Sequence, residues 1–271
     1  MILSDIHTHT YYCDGKASPE EMLLSAIEKG FKTYGFSSHS YAPYDKPYCL
    51  EGENEEKYRA DAAILKEKYK DVIKVYCGIE QDMFAPLQSK PFDYRIGSVH
   101  YIIVNGEYFT IDWGKERQKH IADEYFGGDY LSLAEAYFET VAGVYKMTGC
   151  DIIGHFDIIS KYNEGYRLFD ETDPRYVRAW KAAADELLKE NVYFEINVGA
   201  IYRGYRTWPY PSLDIMRYIR DKGGRFILSS DAHRPDAIGF QFDLWEKRLA
   251  EEGITVSEFD PESKKRLTFK D

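Results

Sequence analysis

Six of the seven histidines in this sequence fall in short polar stretches that directly follow apolar, β-branched runs. The stretches are Asp5-Ile6-His7-Thr8-His9, Ser38-His39, Ser98-Val99-His100, Gly154-His155 and Ser229-Ser230-Asp231-Ala232-His233. A further run ends in Gly78-Ile79-Glu80, which offers a carboxylate in the same position. Imidazoles and carboxylates together, without thiolates, suit zinc, manganese or iron(II) better than calcium or an iron–sulfur cluster. His7 and His9 are two residues apart, so on an extended chain both side chains leave the same face, roughly 7 Å apart at their Cα atoms. They can chelate one ion, and Asp231 and His233 repeat the spacing. Glu80 is the candidate bridge between neighbouring ions. Asp5 shares the face of His7 and His9 one layer deeper, where orienting an imidazole is its expected role. One histidine at a strand end is an ordinary polar residue. Six of them, with Glu80 and Asp231, point to a polynuclear metal centre. His120 lies in a helical pattern and is expected on a helix surface.

The elements that must position these groups alternate. Candidate strands cover residues 2–7, 33–37, 73–79, 94–99, 151–155, 192–198 and 225–229, several of them continuously apolar, as strands buried on both faces read. Helices fall between them. Ser18-Pro19-Glu20-Glu21 combines an N-cap serine, proline at the first helical position and a glutamate three residues after the cap. Asp173-Pro174 opens another helix, running to about residue 190. Asn105-Gly106 reads as a hairpin turn. Strand–helix alternation predicts an α/β fold with a parallel sheet. Seven strands, with no G-x-G-x-x-G after the first, suit an incomplete α/β barrel better than a doubly wound sheet. In a parallel barrel the C-terminal strand ends open on one face, which would gather all these ligands into one mouth. No linker, repeat or low-complexity tract divides the chain, so residues 1–271 are expected to form a single domain.

Composition narrows the partners. The 271 residues carry 35 Lys+Arg against 46 Asp+Glu, a net charge of −11, whereas a general nucleic-acid binder needs a basic footprint. The single basic run, Lys264-Lys265-Arg266, is expected to be a solvated tail. Aromatics make up 16% of the chain, with 24 tyrosines, too many for a disordered or fibrous protein. Cys13, Cys49, Cys77 and Cys150 form no C-x-x-C pair, as expected for a reduced, cytoplasmic protein without a disulfide frame. No apolar run approaches the ~20 residues that span a bilayer. The N-terminus lacks an apolar signal region, so the mature chain is expected to start at or next to Met1. No membrane partner is expected, and no motif speaks to oligomeric state.

D-x-H-x-H at the first strand, isolated His, Glu, His and His at later strand ends, and S-D-A-H at the last resemble the PHP (polymerase and histidinol phosphatase) family. The likeness runs from Asp5 to about Gly239. Glu195-Ile196-Asn197 with a following Arg203, then Tyr210-Pro211-Ser212, resembles the histidinol-phosphatase branch. The resemblance implies a distorted (β/α)7 barrel with two to three divalent ions (Zn, Mn or Fe) at the C-terminal ends of its strands. It assigns His7, His9, Glu80 and Asp231 to the first ion. Glu80 would bridge to the second, completed by His100 and His155, and Asp14, His39 and His233 would hold the third. Many relatives carry a histidine after a cysteine in the loop following the first strand, where Cys13-Asp14-Gly15 offers a carboxylate.

The expected chemistry is hydrolysis of a phosphate monoester by hydroxide formed between the first two ions. By resemblance the substrate is L-histidinol phosphate, cleaved to L-histidinol and phosphate in histidine biosynthesis. Glu80, Asp231 and His233 are the candidate catalytic residues, the last two as a proton shuttle through water. Arg203 is the first candidate phosphate clamp, since a guanidinium matches two phosphoryl oxygens. Arg206 is its near-equal rival and Lys161 another candidate. Aromatics in loops 41–52 and 200–211 (Tyr41, Tyr44, Tyr48, Tyr202, Tyr205, Trp208) either flank the substrate or pack the loops. Two other readings remain: a PHP-type nuclease or exonuclease on nucleic-acid ends, which should bring a basic groove, and a non-catalytic metal-dependent sensor of a phosphorylated ligand.

Overall fold

Among the described residues, ten short strands carry the chain from one site residue to the next. The computed structural model describes residues 2–165 and 167–262. The strands are β1 (Ser4–Asp5), β2 (Thr33–Phe36), β3 (Lys74–Cys77), β4 (Ile79–Asp82), β5 (Arg95–Ser98), β6 (Tyr101–Val104), β7 (Glu107–Thr110), β8 (Ile152–Ile153), β9 (Tyr193–Asn197) and β10 (Arg225–Ser229). β1, β2 and β3 form one parallel sheet, and β10, β9, β8, β5 and β4 another, in those orders. β6 and β7 make the expected antiparallel hairpin. Its turn, Asn105-Gly106, has φ of 53° and 83°, the double left-handed geometry that two-residue hairpins require. Lys264-Lys265-Arg266 lies outside the described residues.

All seven expected strand regions are present, and the α/β class with parallel sheets is borne out. The ladder is less regular than the sequence suggests. The run 73–79 breaks at Gly78 into β3 and β4, and β1 shortens to two residues. The two sheets meet through single bridges, His39 with Glu80 and Thr8 with Ala232. At the second junction the His9 amide donates to Ala232 O at 2.8 Å and the Ala232 amide to His7 O at 3.2 Å. Tyr94 sits at the interruption. Its hydroxyl reaches the carbonyls of Ile6 and Phe36 at the ends of neighbouring strands, and Phe36 O also accepts the Gly78 amide at 2.8 Å. The ring needs the space that Gly35 and Gly78 leave. A Cβ at Gly35 would stand 2.3 Å from the Tyr94 hydroxyl, and one at Gly78 2.2 Å from its ring.

Helices cover the outer faces. Helix Pro19–Glu28 opens with the predicted reciprocal cap between Ser18 and Glu21, worth about 1 kcal/mol for the serine alone. Helix Pro174–Leu187 ends three residues short of expectation, and its Asp173 caps the Arg175 amide. It buries Tyr176, Trp180, Ala183, Ala184 and Leu187, and it packs on helix Tyr130–Ala142, which buries Leu133, Tyr137 and Phe138. Each large apolar side chain so buried contributes roughly 1.5–3 kcal/mol before entropy is counted. Strands β4 and β10 are buried almost throughout, so the polar groups at their C-terminal ends are held by packed backbone. His120 is exposed on helix Lys115–Tyr125, as expected. The four cysteines form no disulfide among the described residues. Among the described residues, no helix is long and apolar enough to cross a membrane.

Candidate metal centre

His7, His9, Asp14, His39, Glu80, His100, His155, Asp231 and His233 converge from six strands and the loops that follow them. Glu80, on β4, stands in the middle. Its Oε2 lies 3.2 Å from His7 Nε2, 3.5 Å from His9 Nε2 and 2.9 Å from His39 Nδ1. Its Oε1 lies 2.9 Å from His155 Nε2 and 3.3 Å from His100 Nε2. Asp231 Oδ1 approaches His9 Nε2 at 3.3 Å and His7 Nε2 at 3.8 Å. Asp14 faces His233 Nε2 at 3.0 Å, His39 Nε2 at 3.7 Å and His9 Nδ1 at 3.8 Å. A Cβ on Gly15 would stand 2.6 Å from the His9 backbone, so only glycine lets the loop fold close enough to bring Asp14 in.

Among the described residues, three overlapping groups have donor atoms close enough to hold an ion: His7, His9 and Glu80; His39, Glu80 and His100; and His9, Asp14, His39 and His233. Compared with the sequence-based sets, His9 also reaches toward the outermost group and His39 toward the middle one. His7 Nε2, His9 Nε2, Glu80 Oε2 and Asp14 Oδ1 are buried without a hydrogen-bond partner among the described residues. Buried polar atoms are rarely left unpaired, because each costs about 1–3 kcal/mol. Four of them facing one another fit divalent cations.

The protonation of the cluster agrees. Burial drives His9 down to about 3, helped by repulsion from His233 and His39, so its ring is neutral and able to ligate. Burial alone would raise Glu80, but His39, His7 and His100 hold it well below the usual carboxylate range. Burial opposes the charge of Asp231 too, and Arg203 followed by His7 overcomes it. His7 is lowered by burial and raised further by Glu195, Glu80 and Asp231, ending well above the ordinary imidazole value. A cation in the cluster replaces the proton there, since imidazole ligates in its neutral form. Asp231 also has φ of 49°, a strained conformation for a residue with a side chain and one that clusters at functional sites.

Two carboxylates back the imidazoles, and sequence reasoning gave neither that role. Glu195 contacts His7 Nδ1, accepts the His155 amide at 2.8 Å and is bonded by Ser229 Oγ and Asn197 Nδ2. Asp82 lies 3.3 Å from His100 Nδ1 and accepts the Tyr44 hydroxyl. Both pairings leave the Nε2 atoms for the centre. The signal for Asp82 was its i, i+2 relation to Glu80. Asp5, expected to orient an imidazole, instead accepts the Ser230 amide and hydroxyl and the Gly239 amide. It ties β1 to the loop after β10, and burial pushes it up to about 6.

Seven of the nine residues, all but the fully buried His7 and His9, line a cavity of about 610 Å³, with the cluster as its floor. Arg203 lines it and donates to Asp231 Oδ2 at 2.9 Å. Lys161 also lines it, with Nζ 2.9 Å from Asp112 O and 3.3 Å from Asp112 Oδ2. Arg206 is not among the lining side chains. It is buried behind the wall, bonded to Ser160 Oγ, 4.0 Å from Asp157 and over the Tyr210 ring. Both arginines follow helix Gly199–Tyr202: Arg203 caps its end beside Asp231, while Arg206 lies past Gly204 and turns inward. Of the loop aromatics, Tyr48 and Tyr205 line the cavity. Tyr202 bonds Asp236, and Trp208 packs edge-on against Trp245.

Residues 5–199 match the PHP domain family model. The chain is 29% identical over 252 residues to a Deinococcus radiodurans protein named probable histidinol-phosphatase, covering 89% of this chain and 90% of that one. A Schizosaccharomyces pombe protein of the same name is 27% identical over 282 residues, covering 94% and 87%. Among solved structures, the fold is shared with a Lactococcus lactis histidinol phosphate phosphatase in complex with zinc, L-histidinol and phosphate. The TM-score there is 0.71 at 18% identity, over 95% of this chain and 97% of that one.

Proposed function

The chain belongs to the PHP domain family, and from that premise we propose that it is a metal-dependent phosphomonoesterase hydrolysing L-histidinol phosphate to L-histidinol and phosphate. The observation that carries this reading is the set of unpaired, buried donor atoms on the floor of a cavity that also presents Arg203 and Lys161. The names of the full-length relatives support the choice of substrate. In this reading residues 1–271 act as one domain, and the two sheets are arcs of a distorted (β/α)7 barrel. The protein works in the cytoplasm on a small phosphate ester, with no nucleic-acid or membrane partner, in keeping with four cysteines that form no disulfide.

His7, His9, Glu80 and Asp231 would hold one ion, Glu80, His100 and His155 a second, and Asp14, His39 and His233 a third. Two to three divalent ions of zinc, manganese or iron bound there supply Lewis acidity and a water nucleophile usable at neutral pH. The chain's own groups do the rest. Arg203 pairs with phosphoryl oxygens in the fork geometry of a guanidinium, and Lys161 adds a point charge. Glu195 and Asp82 hold His7 and His100 in fixed tautomers, so the floor does not reorganise as charge develops. His233 Nδ1 lies 3.6 Å from Asp231 Oδ1, and this pair returns a proton, through water, to the leaving oxygen.

Metal analysis of the purified protein, with phosphate release measured from histidinol phosphate, p-nitrophenyl phosphate and single-stranded DNA, tests the reading. Two to three ions per chain are expected, with histidinol phosphate turned over hundreds of times faster than the generic ester. DNA cleavage without histidinol phosphate hydrolysis would overturn the assignment. Bound metal without any hydrolysis would point to a sensor.

A further inference from the structure

A cavity built to receive a phosphate should not present spare negative charge, and five carboxylates line this one. Asp14, Glu80 and Asp231 face the histidine cluster. Asp112 is paired with Lys161 at 3.3 Å and, despite its burial, is pulled down to about 2 by Lys161, His100 and His155. The fifth, Asp45, has no cationic partner among the described residues. It is half-buried, and Oδ2 accepts the Tyr101 hydroxyl at 2.7 Å. That bond fixes the carboxylate without neutralising it. A bare charge beside an anion site weakens binding of any simple phosphate, so its presence calls for a compensating positive charge on the ligand.

Its place in the cavity says which part of the ligand. From the metal cluster a row of rings leads outward, with His39 and Tyr48 centroids 4.8 Å apart and Tyr48 and Tyr101 6.5 Å apart. Asp45 stands at the end of that row, about two rings from the cluster. Tyr48, Tyr101, Tyr205 and an exposed Trp113 line the same cavity. Aromatic faces and a carboxylate together favour an organic cation. The two ends of the cavity therefore carry opposite preferences, an anion on the floor and a cation at the rim.

We infer that Asp45 is a specificity-determining residue that pairs with an ammonium group on the leaving alcohol, so that the site selects amino-alcohol phosphates over neutral or anionic phosphate esters. This rests on the phosphatase reading above and adds the residue that would recognise the amine, which is protonated at neutral pH. The carboxylate touches the leaving group away from the reacting phosphorus, so its contribution is to binding and discrimination.

The test compares two esters on the metal-loaded enzyme: L-histidinol phosphate and its analogue lacking only the amino group. Wild type should prefer the amino ester by about 10- to 100-fold in kcat/KM. In Asp45→Asn, where the amide oxygen still accepts from Tyr101, that preference should fall at least tenfold, carried by a higher KM for the amino ester and a lower one for the analogue. Asp45→Glu, which keeps the charge, should retain most of the preference. Equal treatment of the two esters by wild type, or an equal loss on both in Asp45→Asn, overturns the inference while leaving the phosphatase reading intact. Absence of phosphate release from either ester with metal bound overturns the phosphatase reading, and the role of Asp45 with it.

Discussion

The floor and the rim of the cavity are built by different means. On the floor, His7, His9 and Glu80 are at most 1% exposed and follow or sit within strands, and His7 is braced by Glu195, itself fully buried. At the rim, the Asp14 and His233 side chains are 31% and 23% exposed, and Asp45 comes from a loop. A ligand on a packed strand end keeps its position without help from the ion. A ligand on an open loop depends on its neighbours and on solvent. The floor is therefore preorganised, and the rim is where occupancy and selectivity can vary.

Substitutions can break that contrast, starting with the largest effect. Glu80→Gln removes the shared charge between two groups and should lower turnover by at least ~10³-fold, with fewer ions per chain by elemental analysis. Near-normal activity with a full metal complement would end the assignment. Glu195→Gln leaves every donor in place but weakens the brace on His7, and should cost about 10- to 100-fold in metal affinity, read by chelator competition. Asp14→Ala touches the rim alone. It should remove one ion and slow turnover by roughly tenfold, and a mild chelator should strip that ion first from the wild type. Loss of the floor ions before it would invert the comparison. Arg206→Leu should leave metal content intact, yet strand the buried Asp157 carboxylate without its cation. A loss of about 3 kcal/mol in urea unfolding is expected, because its role lies in the wall.

Much of the floor was legible because a ligand at a strand end follows from two local facts, the apolar run before it and the residue type after it. His7, His9, His39, His100 and His155 were found that way. Bracing was not legible, because it joins strands distant in sequence. Asp5 has the i, i+2 spacing to His7 and still bonds elsewhere, while the brace comes from Glu195 on β9. The two loop arginines differ for the same reason. Nothing in residues 200–211 says that a short helix ends at Arg203 beside Asp231 and that the chain then turns Arg206 inward. The break at Gly78 depends on Tyr94, sixteen residues later, and no strand propensity records it.

Tyr94 also ties three positions into one heritable unit. Its ring occupies the volume that side chains at 35 and 78 would need, and its hydroxyl holds the strand ends that lead to His7 and His39. Replacing either glycine while tyrosine remains forces a collision next to the site, and shrinking the tyrosine alone empties a hole there. Viable change at these positions has to come as a compensating set, which makes their joint variation across descendants of this sequence a marker of whether the floor has been rebuilt.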